Sequence, residues 1–322
     1  RRQQVELVTV IKRGREMDRN SIRNLAVMAR SKSAAHFEGA FKGLPVIVCG
    51  AGPSLTAALP LLRAAQGRAV IIVADVALRL LVREGIEPDF VATLDMKEAT
   101  STFFQGFEIP KKTALVFDPD CYHGTSESFP GPKLSYETAH GLQGWSKAFL
   151  GDQGFVDKGT SVAHTAYFFA AFTGADPILL VGVDLCYPAE HSHAEGVQDS
   201  VRQKVAEVAR KWIMVPGVSG SPVRTVSNFS TYITHFEGAI SRTRARVIQT
   251  SEIGALIRGA ENLSLPAALE KYAPHPLPIA ERIRRCFERP PGWNRTAFET
   301  LSADLLASLA RMQEACAEGG KL

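Results

Sequence analysis

Cysteine is scarce and never paired in this sequence. Its five cysteines (Cys49, Cys121, Cys186, Cys286 and Cys316) are an odd number, far apart, with no CxxC spacing and no histidines at zinc-like intervals. That argues against a disulfide framework and a zinc site, and favours the reduced thiols of a cytoplasmic protein. No apolar run approaches the roughly 18 residues of a membrane span. The opening "RRQQVELVTVIKRGREMDRN" is charged and amphipathic, so no secretory leader is read there either. Charge of one sign is also lacking: 37 Lys and Arg against 33 Asp and Glu leave +4, scattered apart from clusters at 242–246 and 282–285. A nucleic-acid binder would carry a denser basic face. There is no internal repeat or low-complexity tract. The chain opens on Arg rather than Met, which fits a piece or trimmed product of something longer.

What is present is a run of alternating short strands and helices. Residues 5–35 have helical spacing (Val5, Val8, Ile22, Leu25, Met28). From Leu44 the pattern predicts strand 46–49, helix 55–65, strand 69–73, helix 76–83 and strand 90–94, then a strand at 113–118. The Gly-, Ser- and Pro-rich stretch up to Gly154 has no clear pattern. A helix over 159–175 opens on Gly-Thr-Ser and leads to a buried strand at 177–184, a polar loop, a helix near 200–213 and a strand at 246–249. Three proline-broken helices follow from Leu265. Short apolar strands alternating with helices call for an α/β, Rossmann-like parallel sheet with helices on both faces. The expected division is an N-terminal helical segment 1–42, a catalytic domain 43–274 and a C-terminal helical segment 275–322.

The candidate site residues lie where strands end. In "PVIVCGAGPSL" four apolar β-formers run into Gly50-Ala51-Gly52, then Pro53 and Ser54. Leu55 stands where a dinucleotide fingerprint has its third glycine or alanine, which counts against NAD. Gly50 and Gly52 would let backbone N–H groups approach a phosphate, with Ser54 capping the next helix; a tight structural turn is the alternative. Asp75, Asp95 and Asp184 follow strands, where parallel α/β sheets bind ligands, although each could equally cap a helix. Asp95 has no acidic neighbour beside it, which weakens a Mg-triphosphate site. In "KGTSVAH", Thr160 and Ser161 offer hydroxyls at a second helix start, either as an anion clamp or as a plain cap of a buried helix. In "EHSHAEG", His191 and His193 lack the companions of a metal shell, and one of them suits a general base. Tyr187, in the same loop, could donate to a phosphate. His164 and the three tryptophans suit packing better than chemistry.

Taken in order, "GAGPSL", "GIEPDFVATLD", "KGTSVAHTAYFFAAFTGADPILLVGVDL", "HSHAEG" and "TSEIGALIRGAENLSLPAALEKY" resemble the motility accessory factor (Maf) family of proposed flagellin glycosyltransferases. The central domain of that family is grouped with the MptE-like, hydroxymethyldihydropterin pyrophosphokinase-like proteins. The likeness spans about 44–272, and a more distant one reaches bacterial sialyltransferases. It implies transfer of a nonulosonic acid (pseudaminic, legionaminic or sialic type) from a CMP-activated donor to Ser or Thr of flagellin, with inversion and no obligatory metal or other cofactor. Gly50, Gly52 and Ser54 match the donor loop, Thr160 and Ser161 the second clamp, and His193 the base, with His191 as its substitute. Ala51 replaces the sialyltransferase asparagine between the glycines. Two rival readings remain: an Mg·ATP-dependent pyrophosphokinase, although Met96 and Lys97 stand where a further acid is wanted, and a non-catalytic flagellin-binding module.

Overall fold

The computed structural model describes residues 2–138, 143–187, 193–197, 212–290 and 292–319. Helix α1 (Arg2–Arg30) leads to the two-residue strand β1 (Lys32–Ser33). It stops five residues short of the sequence expectation because Lys32 and Ser33 pair in parallel with Leu134 and Ser135, and the Ser33 hydroxyl accepts from Ala35 N–H to start a short turn. Then come β2 (Val46–Cys49), α2 (Leu55–Ala65), β3 (Val70–Ala74), α3 (Asp75–Arg83), β4 (Phe90–Thr93) and β5 (Ala114–Phe117). The stretch without a clear pattern holds α4 (His123–Ser128), β6 (Lys133–Ser135) and α5 (Gln143–Leu150). After it lie α6 (Val162–Phe172), β7 (Ile178–Val181), β8 (Ile213–Pro216), β9 (Pro222–Thr225), α7 (Ser227–Ile240), β10 (Val247–Gln249) and β11 (Glu261–Asn262). The chain closes with α8 (Leu265–Tyr272), α9 (Ile279–Glu288) and α10 (Arg295–Gly319). The helix expected near 200–213 falls outside the described residues, apart from its last two positions, where Ile213 opens β8.

Nine strands form one sheet in the order β1-β6-β5-β4-β3-β2-β7-β10-β11, with parallel pairings throughout, while β8 and β9 make a separate antiparallel hairpin. Successive side chains of a strand point to opposite faces, and here both faces are covered. Ile47, Cys49, Ile71, Val73, Val91 and Leu115 pack toward α2, α3 and α8. Their neighbours Val46, Val48, Val70, Ile72, Phe90 and Val116 pack toward α6 and α7. Burial on both faces explains why these strands are unbroken apolar runs rather than alternating ones. The flanking segments enter the same core: Phe37 and Phe41 touch Phe90, and Ile279 and Cys286 sit in that layer. Among the described residues no helix is long and apolar enough to cross a membrane.

Candidate active site

A parallel sheet brings all its strand carboxyl ends to one rim. Along this rim lie Gly50–Ser54 after β2, Asp75 after β3, Asp95 after β4 and Gly182–Asp184 after β7. A cleft of about 170 Å³ opens there, lined among others by Gly50, Gly52, Ser161, Asp184, His193 and Tyr232. The topology thus gathers five of the residues singled out in the sequence at one place.

The glycine loop is built differently from the sequence expectation. Gly50 N–H donates to Val181 O (2.8 Å) and Gly52 N–H to Gly182 O (2.7 Å), so both amides are engaged by the last residue of β7 and the loop after it rather than turned to a ligand. A Cβ on Gly50 would meet Gly182 O at 2.5 Å, and one on Gly52 would meet Asp184 Oδ2 at 2.5 Å. Ser54 makes no cap with its own side chain. Instead its N–H donates to Asp184 Oδ2 (2.7 Å) and its hydroxyl to Asp184 Oδ1 (2.6 Å). The Ser251 hydroxyl also donates to Asp184 Oδ1. The buried Asp184 carboxylate therefore holds the amino end of α2, where an anion is favoured by the helix dipole, and welds β2, β7 and β10 together at the rim.

Thr160 and Ser161 diverge. Ser161 adopts an extended backbone, its Oγ accepts from His164 N–H as the N-cap of α6, and it faces the cleft. Thr160 turns away: its hydroxyl lies 3.3 Å from His235 Nδ1 and lines a second hollow of about 150 Å³ with Ser230, Thr234 and Arg242. Of the two residues, Ser161 lines the cleft and Thr160 the second hollow. The amides of Val162 and Ala163, the first two residues of α6, have no acceptor within the helix, and both residues line the cleft.

His193 stands over the glycine loop because the next residue is tied to it: Ala194 N–H donates to Ala51 O at 2.8 Å. His191 lies outside the described residues. Tyr187 is not among the residues that line the cleft. The residue is 2% exposed, with its ring stacked on Phe229 and edge-on to Trp212. Asp75 is the first residue of α3 and is buried; Oδ2 accepts from the Thr93 hydroxyl (2.7 Å) and Oδ1 from Val76 N–H (2.8 Å). Burial pushes its carboxyl up to about 7; the Thr93 and Val76 bonds oppose this and the charge of Asp95 adds to it. The Tyr232 phenol is likewise raised, by burial and then by the charge of Asp95.

A family model described as 6-hydroxymethylpterin diphosphokinase MptE-like matches residues 19–190, more than half of the chain. The chain belongs to the MptE-like family. Among solved structures it is similar to the MAf glycosyltransferase from Magnetospirillum magneticum AMB-1, with 21% sequence identity and a TM-score of 0.60 over 81% of this chain and 41% of that one. At that identity the likeness is one of fold, and this chain spans less than half of that protein's length. No curated protein matches.

The MptE-like stretch includes the glycine loop, Asp75, Asp95, Ser161 and Asp184 and stops just before His193. It also contains Lys158, which the sequence reading passed over. Lys158 Nζ bridges Asp118 Oδ1 (3.0 Å) and Asp120 Oδ2 (2.9 Å), and Asp118 Oδ2 accepts from the Tyr136 hydroxyl (3.2 Å). Burial opposes the charge of Lys158, but the two carboxylates outweigh it and hold the ammonium above its usual range. The ion triad pins the start of α6 to the end of β5. The signal was available: a lone Lys before Gly-Thr-Ser, and an Asp-Pro-Asp directly after an apolar strand.

Proposed function

We propose that this MptE-like chain is a glycosyltransferase that moves a nonulosonic acid from a CMP-activated donor to Ser or Thr of flagellin. The observation that carries the reading is the placing of His193 over the glycine loop, in one cleft with Ser161 and the open amides of α6, at the carboxyl rim of a sheet with the MAf glycosyltransferase fold. Cleaving the bond from sugar to phosphate builds positive charge on the anomeric carbon and negative charge on the departing phosphate. Fixed donors aimed at that oxygen stabilise it by about 3 kcal/mol each. In this reading the Val162 and Ala163 amides receive the phosphate, with Ser161 lining the cleft beside them. His193 takes the acceptor proton from the opposite side, and a single displacement inverts the anomeric centre. The charge balance requires no metal. Asp184 shapes the loop rather than touching the sugar, since its oxygens are engaged by Ser54 and Ser251.

A pyrophosphokinase is the second reading. It is favoured by the family model, whose description is that of a 6-hydroxymethylpterin diphosphokinase-like protein, and by the place of Asp75 and Asp95 at the carboxyl rim, after β3 and β4. A ligand that binds only the folded chain raises its melting temperature by mass action, so thermal unfolding with CMP or with Mg·ATP separates the two. Stabilisation by CMP without metal is expected, with His193→Ala keeping that shift while transfer to flagellin falls about 100-fold or more. Stabilisation by Mg·ATP alone would replace the glycosyltransferase with the kinase.

A further inference from the structure

Ser161 carries more than a cap. Its Oγ lies 2.7 Å from Nδ1 of His164, and Nε2 of the same ring lies 3.1 Å from the backbone carbonyl of Tyr232. A carbonyl only accepts, so Nε2 bears the hydrogen; in the neutral ring Nδ1 is then a bare lone pair, and the Ser161 hydroxyl donates to it. This is the arrangement of an activated nucleophile: hydroxyl, imidazole base, and a third group that fixes the tautomer of the base. His164 is fully buried on α6 and stacked against His235 (4.5 Å) and Phe236 (4.0 Å) of α7, so the ring cannot turn away from Ser161. Ser161 is half-buried and lines the cleft.

We infer that Ser161 is a nucleophile activated by His164, and that the cleft can take a phosphoryl group onto the Ser161 oxygen. The Oγ–P bond forms as the P–O bond to the leaving group breaks. The Ser161 proton passes to His164 Nδ1 and from there to the departing oxygen. Water then attacks the phosphorus, giving its proton to Nδ1, and Ser161 leaves as the hydroxyl once that proton is returned. The Val162 and Ala163 amides beside Ser161 bind the charge that grows on the phosphoryl oxygens, and the face of Phe236 steadies the imidazolium. This goes beyond the glycosyltransferase reading, in which Ser161 only lines the cleft and stays unmodified.

The test needs no sugar donor, so it stands whether or not CMP binds. The purified chain is treated with an alkyl fluorophosphonate, which Ser161 would attack at phosphorus with loss of fluoride, and the adduct is located by peptide mass spectrometry. The expected result is an adduct on Ser161, none in Ser161→Ala, and labelling slowed at least tenfold in His164→Phe and in His164→Gln, with thermal unfolding used to check that each variant is folded. Absence of a Ser161 adduct in the wild-type chain would overturn the inference. Equal labelling rates in wild type and a folded His164 variant would overturn the role of His164 as base.

Discussion

Gly52 shows how a residue can be legible while its reason is not. Gly-Ala-Gly after a strand suggests a backbone opened to a ligand, yet what comes close is the chain itself, Asp184 Oδ2 at 2.5 Å and Gly182 O at 2.8 Å from where a Cβ would stand. One of these is backbone and the other is a carboxylate held by three hydrogen bonds, so neither yields easily. Gly52→Ala is therefore expected to cost about 1–3 kcal/mol, read as a lower midpoint in urea. A midpoint unchanged from wild type would mean that the β7 loop shifts freely. Asp184 itself was legible as an acid after a strand, but its partners were not. Ser54 lies 130 residues away in sequence and Ser251 lies 67 away, and no local pattern links them.

Between elements, the tie that matters most joins β5 to α6 through Lys158. Removing a buried charge leaves its partners uncompensated, at a cost of about 3–5 kcal/mol. Lys158→Met, which keeps the length of the side chain, is expected to lower stability by that order and to loosen the α6 start that carries Ser161. Equilibrium unfolding measures the first effect and amide exchange at 159–163 the second; unchanged protection there would show that α6 is set without the ion triad. The strands of the central sheet were legible because burial on both faces makes each one a compact apolar word such as "VIVC" or "ILLV". The hairpin of β8 and β9 was missed although Ile213–Pro216 is apolar, because seven of its eight residues are at least partly exposed and its first residue falls at the end of the helix expected near 200–213. Strand β6 and helix α5 were hidden for a similar reason, being short and set among Gly, Ser and Pro. Thr160 and Ser161 were read as a pair, but the fold brings Thr160 to His235 of α7 and Ser161 to His164 of α6.

For the molecule as a whole, the rim residues set a dependence of stability on pH. The Asp75 carboxyl is raised from its ordinary 3.8 to about 7, first by burial. The folded chain thus binds this proton more tightly than the unfolded one, so the contribution of Asp75 is full below 3.8 and is lost as pH rises through about 7. Asp75→Asn removes the ionisation, and its stability relative to wild type should rise steadily between those two values in urea titrations run across the range. A constant difference would place the Asp75 titration elsewhere.

The strand order also governs how the chain leaves the ribosome. Strand β2 is among the first to emerge and is central in the finished sheet, flanked by β3 and β7. Its pairing with β3 and the further addition of β4, β5 and β6 can be complete once Ser135 is made, but the other edge of β2 stays bare until Ile178–Val181 follows. A nascent or cleaved chain that ends before β7 presents an open row of peptide groups on an apolar strand, the kind of edge that recruits a second copy. Fragments cut short of Val181 should accumulate as aggregates, and those that include β7 should lose that particular hazard.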